Sequence, residues 1–284
     1  MDLLIALIPA LMWGINPTVI GKIGGKPIQQ QLGTAFGAMI FAIVVFIVMQ
    51  PQVTMAVALG SAISGLFWSV GQLLQYKSYQ LLGTSKAFAI STGFNLVLNS
   101  LFGVIVFNEW DTTTKLTLGF VALAIIILGA VCTSYSDNKE ESNTKAGVII
   151  LIIAAIGFTA YSCAPRFVNA GGIEAVFPQA VGMVIGSLIL CLFEPKDIKK
   201  FDVITFKNML PGLIWSVANI ALIYANLLNG VAIGFTLSQM CVVVSTICSL
   251  VFLNENKSKK ELKYTIIGVV LVTIGCILVG CTKI

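Results

Sequence analysis

The sequence predicts an all-α polytopic membrane protein, ten transmembrane helices arranged as two inverted five-helix repeats. Three observations predict it. The 284-residue chain is 57% hydrophobic and only 10% charged, whereas a soluble domain carries roughly 25% charged residues, so it cannot coat itself for water. Its apolar stretches run roughly 17–25 residues, the length that carries a helix across about 30 Å of hydrocarbon. The phrase "GLFWSVGQ" at 65–72 returns 147 residues later as "GLIWSVAN" at 212–219.

The first half holds spans at 3–21, 32–49, 54–76, 83–107 and 115–134. Span one begins almost at Met1 with no basic segment ahead and no small-residue cleavage site before the next span, so a retained helix is expected rather than a signal peptide. The polar stretch "SYSDNKEESNTK" at 134–145 follows span five. It divides the chain into a first repeat (1–136), a connecting loop (137–145) and a second repeat (146–284). The second half holds spans at 146–164, 174–193, 208–228, 231–253 and 263–281. Gly33-x-x-x-Gly37 in span two answers Gly182-x-x-x-Gly186 in span seven, a spacing that lets helix backbones approach closely; packing within the monomer is expected rather than a dimer seam. Gly83, Phe88 and Ser91 match Gly230, Phe235 and Ser238, and "NEW" at 108–110 matches "NEN" at 254–256. For spans one and six, Gly14 with Gly157 is the best anchor. A repeat with an odd number of crossings must lie upside down relative to its twin.

Lysines test the count. Lys22 and Lys26 follow span one, Lys77 and Lys86 bracket the turn after span three, and Lys139 and Lys145 follow span five. Lys196, Lys199, Lys200 and Lys207 follow span seven, and Lys257, Lys259, Lys260 and Lys263 follow span nine. The opposite face holds only Lys115, Arg166 and Lys283. Basic loops stay in the cytoplasm, which puts both termini outside. The net charge of +5 then reports orientation; no basic stripe is long enough for a nucleic-acid partner.

An unpaired polar group costs several kcal/mol in hydrocarbon, about 4–8 on the strictest transfer scale, so polar residues within spans bond a neighbouring helix or line a wet cavity. The candidate substrate contacts are Trp13 and Asn16 in span one, and Trp68, Gln72 and Gln75 in span three. Span four adds Ser91, Thr92, Asn95 and Asn99, span eight Trp215 and Asn219, and span nine Ser238 and Gln239. Gln72, Gln75 and Tyr76 share one helix face, and the span-four residues form a polar stripe. Carboxamides donate and accept as sugar hydroxyls do, and an indole face can pack on the apolar side of a sugar ring. An anionic substrate would call for Arg or Lys at mid-span and a cationic one for Asp or Glu; the spans offer neither. A small uncharged polyol or monosaccharide fits. The seven cysteines form no CxxC pair and the chain has no histidine, so no metal site and no cofactor is expected. No paired intramembrane Asp, HExxH or Ser–His arrangement suggests an enzyme. If protons couple, the candidate carboxylates are Glu109, Asp111, Glu174 and Glu255, all near span ends.

The residues also resemble a known group. "WGINPTVIGKIGGKP" at 13–27, "WSVGQLLQYKSYQLLGTSKAFAISTGFNL" at 68–96, "YSCAP" at 161–165, "FPQAVGMVIG" at 177–186 and "NGVAIGFTLSQMCVVVSTI" at 229–247 are similar to the glucose/ribose porter family of the drug/metabolite transporter superfamily. Ala89 stands where the family's Pro-Ile-Ser-Thr-Gly has its proline. The resemblance implies a ten-helix bundle in the cell membrane, a monosaccharide substrate (ribose or glucose) and proton symport. Many superfamily relatives are drawn with both termini in the cytoplasm; the lysines here point the other way. The expected mechanism is alternating access, the two five-helix halves rocking around the central site. The rival reading is an exporter of small neutral metabolites or nucleosides on the same fold. The sequence leaves the oligomeric state open; a monomer would suffice.

Overall fold

The computed structural model describes residues 2–107, 111–133, 135, 141–170, 172–229, 238, 240–253 and 258–281. The first half contains α1 (Asp2–Ile23), α2 (Pro27–Met49), α3 (Met55–Leu82), α4 (Thr84–Phe107) and α5 (Thr113–Thr133). The second contains α6 (Glu141–Cys163), α7 (Val176–Cys191), α8 (Met209–Asn229), α9 (Cys241–Phe252) and α10 (Lys259–Cys281). Two 3₁₀ turns, Ala164–Val168 and Ile173–Ala175, join α6 to α7, and a short helix, Val203–Lys207, precedes α8. Among the described residues, six helical segments, covering α2 to α7, are long and apolar enough to cross a membrane.

The helices overrun the apolar spans because hydropathy marks only the part that must sit in hydrocarbon. Residues 141–145, expected in the connecting loop, are the first turn of α6. Helix α3 runs to Leu82, past the expected end at 76, so Lys77 lies on the helix and not in a turn. It stops where Gly83 takes φ +79, a conformation a side chain disfavours. Pro27 opens α2 at a position where its missing N–H costs nothing.

The molecule is apolar outside, and its polar side chains are buried among apolar ones. Val48 and Ile105 are 71% and 75% exposed, while Gln31, Thr34, Ser64 and Ser69 are fully buried. Water would reject that arrangement; lipid requires it.

The main contacts run between the two halves. Helix α1 packs on α8 and α9, and α6 packs on α3 and α4. Helix α2 packs on α8 and α7 on α3, while α2–α7, α4–α9 and α5–α10 also meet. Exchanging each helix with the one five places on returns the same pairs. The halves therefore interlock rather than sit side by side.

Backbone contact at glycines sets two matching seams. A Cβ on Gly37 would lie 2.0 Å from the Met209 carbonyl oxygen, and one on Gly212 would lie 2.2 Å from that of Thr34. In the partner seam, a Cβ on Gly65 would lie 2.1 Å from the Gln179 carbonyl and one on Gly182 1.9 Å from that of Ala62. Both small-residue motifs are thus filled within the monomer. Gly14 and Gly157 are not equivalent: Gly14 faces Val244 and Cys241 of α9, whereas Gly157 faces Phe67 and Gly71 of α3.

Candidate functional site

A cavity of about 240 Å³ lies where α1, α3, α4, α6, α8 and α9 converge. Helix α1 contributes Trp13, Asn16, Pro17 and Ile20. Gln72, Gln75, Tyr76 and Tyr79 recur at three- and four-residue steps along α3, below Trp68. Helix α4 contributes Phe88, Thr92, Asn95, Leu96 and Asn99 at the same period, α6 adds Phe158, Tyr161 and Ser162, and Trp215, Asn219 and Cys241 complete the wall. Among these described residues none is charged.

Some polar groups are tied to one another. Gln72 Nε2 donates to Gln75 Oε1 at 3.0 Å, and Gln75 Nε2 donates to Ser91 Oγ at 2.9 Å. Ser162 Oγ donates to Asn99 Oδ1, and Asn99 Nδ2 donates to the Asn95 carbonyl at 2.7 Å. Asn219 Nδ2 donates to Tyr161 Oη at 3.3 Å, and Tyr76 Oη meets Thr34 Oγ1 at 3.0 Å. The Trp68 and Trp215 rings touch, tilted, with centroids 5.3 Å apart.

Others are tied to nothing. Trp13 Nε1, Asn16 Oδ1 and Asn95 Oδ1 are buried and have no hydrogen-bond partner. They offer one donor and two acceptors to the same chamber. Leaving such a group unbonded costs roughly 1–3 kcal/mol; an uncharged ligand with several hydroxyls can bond all three.

Ten of the thirteen candidate residues line this cavity. Three do not. Ser91 is buried behind Gln75 and serves as its acceptor. Ser238 is buried and not part of the wall, and Gln239 lies outside the described residues. Of the carboxylates, Asp111 pairs with Lys115 at 3.2 Å, and that lysine holds its carboxyl below the usual range; Glu109 and Glu255 lie outside the described residues.

The sequence reading missed Tyr161, Phe158 and Tyr79 as lining residues. Tyr79 lies beyond the expected end of span three. Aligned 145 residues apart, Trp13, Asn16 and Pro17 match Phe158, Tyr161 and Ser162, all in the wall. The Gly14–Gly157 anchor, two residues out of step, hid that match.

Comparison with known proteins agrees with this picture. The family model for sugar transport proteins matches residues 4–282. A Listeria monocytogenes protein named as a sugar uptake protein is 49% identical, over all of both chains. The glucose uptake protein GlcU of Bacillus subtilis is 43% identical over all of this chain and 99% of its own. A solved crystal structure of a protein 16% identical aligns with a TM-score of 0.64, covering 98% of this chain and 96% of that one, which shows the fold alone. This multi-pass integral membrane protein of the cell membrane, a transporter and not an enzyme, belongs to the sugar transport protein family.

Proposed function

We propose that the chain takes up a monosaccharide, glucose or ribose, by alternating access, with protons as the coupling ion. The observation that carries the substrate is the neutral cavity with three buried, unpartnered polar atoms on Trp13, Asn16 and Asn95. The names of the relatives support the same reading: one is a glucose uptake protein. The absence of charged side chains from the described wall favours an uncharged ligand over a phosphorylated one, which would call for Arg or Lys.

The exchange of contacts between helices five places apart supports two inverted five-helix repeats. Because the halves interlock, they do not rock as two bodies. Access changes instead at the seams where α1 meets α9 and α4 meets α6, the two pairs that exchange with each other and flank the cavity.

Asp111 suits coupling poorly, since its carboxylate is already paired with Lys115 at 3.2 Å. Glu174, at the start of the second 3₁₀ turn, is the better candidate among the described residues.

Reconstituted liposomes test the proposal with a panel of labelled sugars, with and without an inward proton gradient. Saturable uptake of glucose or ribose, accelerated by the gradient, is expected, and Glu174→Gln should abolish the acceleration. Uptake indifferent to the gradient would remove the proton; no uptake of any monosaccharide by folded protein would remove the substrate.

A further inference from the structure

Two cation–π contacts lie at opposite ends of the bundle. Each joins the end of the first helix of one half to the end of the fourth helix of the other. At one end Arg166, just past α6, covers the Phe107 ring that closes α4, 3.9 Å from guanidinium carbon to centroid. Phe167 packs on the same helix, with centroids 5.4 Å from Phe107 and 6.4 Å from Phe102. At the other end the Lys22 ammonium, on the last turn of α1, lies 4.9 Å from the centroid of Phe252, the last residue of α9. The neighbouring Leu253 fills the space beside Gly21. A third such contact among the described residues, Lys260 over Tyr135, belongs to α5 and α10, which do not line the cavity.

Helix α3 establishes the opposite placement. Gly60, near its start, packs on Val168, next to Phe167. Lys77, near its end, pairs with Glu194 at 2.5 Å. Glu194 begins the loop in which the Lys199 carbonyl accepts from Gln29 at 2.7 Å, beside the α1–α2 turn. Gly60 and Lys77 are separated by roughly 25 Å of helix.

The cavity wall lies between the two contacts. On α1 it ends at Ile20, two residues before Lys22; on α6 at Ser162, four before Arg166; on α4 at Asn99, two turns before Phe107. The positions are related by the repeat: the 145-residue offset that aligns α1 with α6 carries Lys22 to within one residue of Arg166, and the match of "NEW" with "NEN" carries Phe107 to within one residue of Phe252.

We propose that these are the paired gates of the cavity: Arg166–Phe107 latches the α4–α6 seam and Lys22–Phe252 latches the α1–α9 seam, and they open in alternation. The proposal rests on reading the cavity as the transport chamber. A cation over a ring suits the task. It is weak enough to break within a transport cycle.

The test does not depend on sugar. In a chain with its seven native cysteines replaced, Thr92→Cys places one thiol on the cavity wall, and a membrane-impermeant maleimide is applied from each face of oriented vesicles. Phe107→Leu should raise labelling about threefold from the Arg166 face and lower it from the Lys22 face, a shift of the size one exposed cation–π contact allows. Phe252→Leu should do the reverse. Arg166→Lys and Phe107→Tyr keep a cation over a ring and should label as the parent does. If the leucine variants fail to accumulate, Arg166→Gln and Lys22→Gln, which leave the rings in place, must give the same mirrored shifts. Unchanged labelling, or a shift toward the same face in both, in protein with the parental thermal midpoint overturns the proposal. Mirrored labelling in a protein that moves no sugar would support the latches while removing the substrate.

Discussion

The two copies of the repeated phrase do the same structural work and different chemical work. Gly65 and Gly212 each press against a neighbouring backbone carbonyl, of Gln179 and of Thr34, and Trp68 and Trp215 each turn into the cavity until their rings meet. The last residue departs. Gln72 reaches along its own helix to Gln75, which holds Ser91 on α4. Asn219, one methylene shorter, bonds instead to Tyr161 on α6. Ser69 donates to its own helix and, at 2.8 Å, across to the Met183 carbonyl on α7, whereas Ser216, among the described residues, donates within α8 to Gly212. The glycines that let helices touch and the tryptophans match in the two copies; the carboxamides that face the chamber differ in residue and in partner.

The largest expected effects test the shared frame. Gly65→Ala and Gly212→Ala each drive a Cβ into backbone, costing about 1–3 kcal/mol or more, and both should lower the thermal midpoint in detergent by several degrees. A fall in only one would break the equivalence of the seams. Next come the unpartnered groups. Asn16→Ala and Asn95→Ala should weaken sugar binding about fivefold to tenfold, the worth of one neutral hydrogen bond, with little change in thermal midpoint because no protein partner is lost. Isothermal titration measures it; unchanged affinity in both would move the ligand elsewhere. Then Gln72→Ala should cut sugar uptake roughly threefold while the protein stays in the membrane, since it frees one end of the Gln75–Ser91 relay. Asn219→Ala should act less, its bond to Tyr161 being the longer, and the reverse order would make Asn219 the closer contact. The smallest effect separates the serines: Ser69→Ala should cost about 1 kcal/mol through its interhelical bond, and Ser216→Ala close to nothing in the same melting experiment.

Much of the fold was legible because hydrocarbon punishes polar backbone and charge so severely that helix number follows from composition. Ten helices of 12 residues or more stand among the described residues where ten spans were read, and six helical segments there are long and apolar enough to cross a membrane. Most of the chamber was legible for a related reason: an amide or indole in mid-span must have a purpose, and nine such residues face one cavity. Ser91 shows the limit, since a polar residue at the right period can serve a neighbour rather than the chamber. Tyr161 shows the opposite error, a wall residue hidden by an alignment two residues out of step.

By itself the sequence determined the solvent, the helical class, the doubled phrase and the neutral character of the polar residues, all consequences of what each side chain costs in lipid. Only the tertiary structure decided which polar groups satisfy one another and which are left open. It alone revealed that the halves interlock and that a cation meets a ring at both ends. Those are matters of distance between residues far apart in the chain, and no local energy encodes them.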